Sequence, residues 1–536
     1  MRMLLQQCRN TIKRFLLPKT ALAAPYRPLV PKMPPGGDIV EVVDISQDSA
    51  QAMMAARALQ GHINRSGAKI YVHAVQSEKD WITDTAHFGG RTVTHLPLRD
   101  EKNPGLKTLL RQYQQVVKEY ELYDTAKEWT FNLAMIKAGL ADGLPVDAAL
   151  RDDLLSTFAE KPIVDYSGIG SDRISGYTWA IEHLLPETQK EIVFLLGLRS
   201  SDWHYAPWML YDYATACRAF LFHLDWMKPD ERTLIQRILA QYAPRTPLMG
   251  YSGDCGDCFS PIASLNGLYG FAADYFPNAS FWSSFPTRYG LRQERGRALQ
   301  VTGGKVYVAL YTSDGDNLSF NHRDLPKWLK DPAARYMPQG YSIDPILVEL
   351  APPLIEWAYQ HLHSAIELTG GPSGLGYPDG GISDEQYDRW LQDNAFYMAQ
   401  AGLTTAQMWN MGDCTSARVR QYLLSQPDIK GVFLDHHDGT NTYKLYKKQI
   451  AQNSSLIAAY PNDLKDRLSK VQAKPDAPTF VGYQTRADSI TPTILKQLVD
   501  ELHTAFPGKY VFLTPRDYLE TLLMYETDKF SSTLAS

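Results

Sequence analysis

Cysteine is scarce: five residues in a chain of 536 cannot form the disulfide framework on which small secreted domains depend, so the fold must rest on hydrophobic cores. Cys255-Gly-Asp-Cys258 has the spacing of half a zinc site or of a redox pair. No second Cys-x-x-Cys completes a zinc knuckle, and no thioredoxin-like strand-to-helix context surrounds it, so a free pair or a small loop disulfide is the expected state. No apolar run approaches the ~20 residues of a transmembrane helix. Long basic runs are also missing and the formal net charge is −5, so nothing draws the chain to nucleic acid or to an acidic membrane. No Gly-rich phosphate loop follows the first strand, which removes a nucleotide-binding reading there.

What is present fits an ordinary globular protein of two or three domains, with 44% hydrophobic and 21% charged residues. The 31 tyrosines and 11 tryptophans suit either core packing or a carbohydrate site, because sugar C–H faces pack on aromatic rings. Arg2, Arg9, Lys13 and Arg14 precede Phe15-Leu16-Leu17 and a small-residue stretch, Ala21-Leu22-Ala23-Ala24, an arrangement that resembles an export signal interrupted by Pro18 and Lys19. Residues 1–37 read as this leader plus a Pro-rich linker.

Residues 38–235 read as an α/β domain. Ile39–Ile45 is a buried strand, followed by an amphipathic helix with Ala52, Met53, Ala56, Leu59 and Ile63 on one face. Strands at 69–72, 92–96 and 192–196 and a helix bearing Leu106, Leu109, Leu110 and Tyr113 continue the alternation, which argues for a parallel sheet. From about Thr246 the rhythm is more regular. Apolar runs at 247–251, 305–311, 405–409, 431–434, 480–483 and 510–513 are each followed by polar or Gly-rich residues, and Phe281-Trp282 and 365–368 add two candidates. One intervening helix starts at Thr491 as N-cap with Pro492 at the first helical position. Six to eight units imply a (β/α) barrel or a large open sheet, and the count favours a (β/α) barrel-like domain over residues 240–525.

In parallel β/α architectures the chemistry gathers at the carboxyl ends of strands. After Tyr311 come Asp314, Asp316 and Asn317, two carboxylates around a glycine beside an amide. They suit acid–base work, a metal or a sugar clamp, and equally an Asx turn or helix cap. Trp409 and Asp413 follow another strand, and Asp435-His436-His437-Asp438 a third, where strand alternation lets at most one histidine face a shared centre. The Gly-rich loop 370–378 allows backbone to approach a ligand, with Tyr377 stacking on it, or forms a surface turn.

Ser373-Gly374-Leu375-Gly376-Tyr377 and Ser313-Asp314-Gly315-Asp316-Asn317 resemble the SGxGY and SDGDN segments of the GxGYxYP family of "putative glycoside hydrolases". Leu59-Gln60-Gly61-His62-Ile63-Asn64-Arg65 resembles the LQGxxNR element of its separate N-terminal domain, and Asp212-Tyr213 its DY pair. The similarity covers roughly residues 38–520. The chain departs from the pattern after Tyr377, where Pro378-Asp379-Gly380 replaces x-Tyr-Pro and a pocket tyrosine is lost. The resemblance implies hydrolysis of a carbohydrate substrate; no cofactor or metal is expected. Asp316 and Asp435 are then the expected acid and nucleophile or base, and Asp314 a further catalytic carboxylate that, with Asn317, orients the first. Gly376, Tyr377, Trp409, Asp413 and His436 would contact the sugar. Two alternatives stay open: a metal-dependent deacetylase using Asp314 or Asp316 with His436 or His437, and a carbohydrate-binding protein without turnover.

Overall fold

The computed structural model describes residues 27–85, 90–197, 209–251, 259–294, 296–312, 317–437, 441–458, 460–487 and 489–535, without the side chains of 435–437, 455–458 and 532–535. The leader, Asp314, Asp316 and the Cys255–Cys258 pair lie outside the described residues.

Four sheets carry the fold. β1 (Ile39–Asp44), β2 (Ile70–His73) and β3 (Thr92–His95) form a parallel sheet in the order β2-β1-β3. β4 (Tyr120–Leu122), β5 (Leu144–Val146) and β6 (Ile163–Asp165) form a second, β5-β4-β6. β7 (Val193–Leu195), β8 (Phe220–Phe222), β9 (Pro247–Gly250) and β10 (Tyr269–Ala272) form a third, β10-β9-β7-β8, which bridges the stretch 235–240 where the sequence suggests a division.

The largest sheet holds β11 (Val306–Thr312), β12 (Gln339–Ile343), β13 (Ile366–Gly370), β14 (Thr405–Met408), β15 (Gly431–His437), β16 (Tyr443–Tyr446), β17 (Gln449–Ala458), β18 (Thr479–Thr485) and β19 (Tyr510–Leu513). Its order is β12-β13-β14-β15-β17-β18-β11-β19, with β16 antiparallel to β17. The sheet curls until β11 also meets β12, but through the single pair Tyr311–Gly340 rather than a ladder. The architecture is thus mixed α/β with parallel-rich sheets and a curled half-barrel. The (β/α) barrel expected from the sequence is met only to that extent.

Two other expectations change. Phe281-Trp282 belongs to a short helix, Ala279–Trp282, entered through a left-handed Asn278, and not to a strand. Residues 27–35 are no loose linker: Leu29, Val30 and Met33 are buried, Lys32 Nζ donates to the carbonyls of Phe285 and Glu349 at 2.7 Å each, and Leu29 N–H donates to Glu349 Oε2 at 3.1 Å.

The helix Ala50–Arg65, capped by Ser49, binds the first half of the chain together. Gly61 is needed for close approach, since a Cβ there would lie 2.3 Å from the Asp212 carbonyl. Gln60 Nε2 donates to Asn278 Oδ1 (2.7 Å), Asn64 Oδ1 accepts the Ile70 N–H (3.0 Å), and Arg65 reaches the Thr215 carbonyl (2.6 Å) and Asp142 (2.8 Å). Arg57 and Glu78 form an ion pair with both side chains at 0% exposure, and Asn278 bonds to both. Asp212 Oδ2 accepts the Ser280 N–H at 2.8 Å. The Leu59–Arg65 element and the Asp212-Tyr213 pair are therefore fastenings, built from polar groups that satisfy each other away from water.

Candidate active site

Parallel strands deliver the loops after β11, β12, β13 and β14 to one rim of the curled sheet. The segment 313–316 after β11 has no described position, but Asn317, next in line, does. It is fully buried at the N-cap of the helix Leu318–Arg323, with φ of 46° and ψ of −97°, outside the left-handed helical region. Its amide Nδ2 donates to Asp344, the residue after β12. Asp344 Oδ1 accepts the Ile346 N–H at 2.9 Å, its own N–H donates to Asn321 Oδ1 at 2.9 Å, and the Gly376 N–H also reaches its carboxylate. Burial pushes the Asp344 carboxyl up to about 7, against the pull of its three donors, the N–H groups of Ile346 and Gly376 and the Asn317 amide.

The Gly-rich loop is buried from 370 to 379, which removes the surface-turn alternative. Gly376 has φ of 64°, and a Cβ on it would lie 2.4 Å from the Gly270 carbonyl of β10, so only glycine lets the rim touch the four-stranded sheet. The Tyr377 N–H donates to that same carbonyl at 2.9 Å, its carbonyl accepts Ser260 Oγ at 3.2 Å, and its ring meets Phe259 edge-on. Ser373 Oγ accepts the Trp409 N–H at 3.1 Å, tying the loop after β13 to the end of β14, where Trp409 is half-buried.

Asn317 and Gly376 are thus joined by hydrogen bonds through Asp344, and the loop that carries Gly376 reaches Trp409 through Ser373, while Tyr377 bonds to Gly270 and Ser260. Asp413 Oδ1 accepts the Thr415 N–H (2.8 Å) and hydroxyl (2.7 Å) in an Asx turn. Asp435 and His436 lie in the backbone of β15, where the register against β17 shifts between Leu434 and His437; their side chains are outside the described residues. Asp314 and Asp316 are outside them entirely. Among the described residues no group of three His, Cys, Asp or Glu side chains is placed to hold a metal ion.

Two carboxylates escape a reading of the sequence. Asp344 follows a strand with little apolar character. Asp379 stands where the GxGYxYP pattern has its second tyrosine: its Oδ1 accepts the Gly381 N–H (2.8 Å), its N–H donates to Ser264 Oγ (2.8 Å), and Asn410 donates its amide to Oδ2. The replacement therefore pins the loop after β13 to the loop after β14. Glu367 is also pushed up to about 7 by burial, but it sits near the opposite end of β13 and accepts the Arg516 N–H at 2.6 Å, capping the C-terminal helix Pro515–Ala535. A raised carboxyl alone does not mark the rim.

Residues 304–522 match the model described as the GxGYxYP "putative glycoside hydrolase" C-terminal domain, and residues 190–284 match the GxGYxYP third domain. The fold is similar to the crystal structure of a "putative hydrolase" from Bacteroides thetaiotaomicron, with a TM-score of 0.79 and 19% identity, over 94% of this chain and 98% of that one. No curated protein matches the sequence. None of the described helices is long and apolar enough to cross a membrane. Through its third and C-terminal domains, which together account for more than half its length, the chain belongs to the GxGYxYP family.

Proposed function

We propose that the protein hydrolyses a glycosidic bond at the carboxyl ends of the curled sheet, which we read as a (β/α) barrel with one short seam. Asp316 and Asp435 act as the pair of carboxylates: one protonates the leaving oxygen, the other serves as nucleophile or activates water. Asp314 and Asn317 orient the first, Tyr377, Trp409 and the backbone at Gly376 seat the sugar, and Asp413 and His436 extend the contacts. Residues 38–235 brace this end of the molecule and carry no chemistry of their own.

The observation that carries this reading is the Asn317–Asp344–Gly376 contact, which brings the two most specific family segments to one place. The register shift in β15 at Asp435 supports it, since bulges recur beside active sites and re-aim side chains. The family description supports the reaction class. The test is to incubate the full chain with a panel of oligosaccharides and polysaccharides and to separate the products by anion-exchange chromatography. Released sugars that vanish in Asp435→Asn support hydrolysis; glycan binding by calorimetry with no product across the panel contradicts it.

A further inference from the structure

We propose that Ser342, Gln407 and the bare Cα of Gly371 form a subsite for a single uncharged hydroxyl group of the substrate, on the inner face of the curled sheet below the rim. The assignment rests on the preceding reading only in taking this end of the sheet as the place where substrate enters.

The register puts these residues together. Ser342 on β12 pairs with Thr369 on β13, and Gly370 pairs with Ala406, so Gly371 lies level with Gln407 on β14. Paired residues of a parallel ladder face the same side, and Gln407 pairs in turn with Phe433, which packs inside the curl with Tyr311. Ser342 and Gln407 are at 0% exposure, and neither Ser342 Oγ nor Gln407 Oε1 has a hydrogen-bond partner. The amide nitrogen of Gln407 donates to Thr369 Oγ1 at 3.1 Å, which leaves the oxygen as the free end. A Cβ at Gly371 would lie 2.6 Å from Ser342 Oγ and 3.5 Å from Gln407 Oε1, so both oxygens converge on the glycine, and its missing side chain is what lets them come this close. Gln484 Oε1, on the same inner face through its pairing with Tyr311, is unpartnered too.

A buried oxygen left without a partner is destabilising, and native folds keep these groups where something else completes them. The chemistry of the pair defines what that is. Ser342 offers an O–H and Gln407 an acceptor oxygen, so one hydroxyl can accept from the first and donate to the second. A carboxylate or phosphate oxygen has no proton for Gln407, and an ammonium, though it could donate to both oxygens, would bring in a charge that these two neutral groups do not balance. The subsite therefore selects a neutral, hydroxyl-bearing ring over an acidic or aminated one, and enclosure away from water strengthens both bonds.

Crystals of the full chain soaked in glycerol test this directly. A glycerol oxygen within hydrogen-bond distance of both Ser342 Oγ and Gln407 Oε1, and its loss in Ser342→Ala crystals, is the expected result. An ordered water alone at that point, or no density, overturns the proposal. Ser342→Ala removes a hydroxyl that has no bond to lose, so its melting temperature should equal or exceed the parent's. On any glycan the parent cleaves, Ser342→Ala and Gln407→Met should raise KM about 10-fold, with the pH profile of kcat unchanged. Hydrolysis with an unaltered KM in both variants sinks the subsite and leaves the hydrolase reading standing. Glycerol bound as described, with no glycan cleaved, upholds the subsite and sinks the hydrolase reading.

Discussion

The Asn317 side-chain amide donates to the Asp344 carboxylate, joining the loop after β11 to the end of β12 beneath the rim. Asp344 has no exposed surface, so it acts as a positioning residue that fixes Asn317 at the start of the helix Leu318–Arg323.

A pH dependence follows from this burial. An unfolded aspartate titrates near 3.8, whereas burial raises Asp344 to about 7 in the folded chain. Between those values the folded chain keeps a proton that the unfolded chain has lost, so this group's contribution to stability falls as pH rises from about 4 to about 7. Asp344→Asn should flatten that part of the profile in urea unfolding at a series of pH values. A variant whose profile has the same slope as the parent's would show that Asp344 titrates normally.

Gly376→Ala should damage both stability and turnover. A side chain at a φ of 64° is strained by about 1–2 kcal/mol, and its Cβ would press on the Gly270 carbonyl, which cannot swing away as a side chain can. Thermal melting and turnover should fall together, because the contact between the rim and the four-stranded sheet opens. Parent-like values for both would show that this contact does not hold the site.

The first-half fastenings make a contrasting forecast. Glu78→Gln leaves Arg57 buried without its counter-charge, which should lower stability by about 3–5 kcal/mol in denaturant unfolding. Gly61→Ala, which forces a methyl group against the Asp212 carbonyl, should lower it by about 1–3 kcal/mol. Turnover per folded molecule should be unchanged in both, since Glu78 bonds to Arg57, Asn278 and the Ala74 N–H and Gly61 abuts Asp212, none of which belongs to the Asn317–Asp344–Gly376 contact. A selective loss of turnover in a stably folded variant would place chemistry in this half.

How much of this the sequence reveals depends on which face of a strand is apolar. β11, β14, β15, β18 and β19 are legible because they are runs of Val, Leu, Phe, Tyr and Met. β12 and β17 are not, because Gln339, Ser342, Gln452, Asn453 and Ser454 interrupt their apolar pattern while being buried. With β12 unread, Asp344 looks like an isolated acid and not like a strand-end residue. Phe281-Trp282 fails for another reason: four apolar or small residues fit either a strand or one helical turn, and the left-handed Asn278 decides between them only in three dimensions. The loop after β13 was recognisable by its glycines, but its burial against Gly270 depends on a contact more than a hundred residues away in sequence.

The proposed reaction turns on an ionisable catalytic group supplied by the loop after β11. Asp316→Asn keeps the shape of that side chain and removes its charge, so it separates chemistry from folding. Turnover of a cleaved glycan should drop by about 10²-fold or more, the usual scale for losing acid–base catalysis, while the melting temperature stays at the parent value. Near-parental turnover by Asp316→Asn would contradict this role, because asparagine keeps an acceptor oxygen in the same place and only a structural role would survive the change.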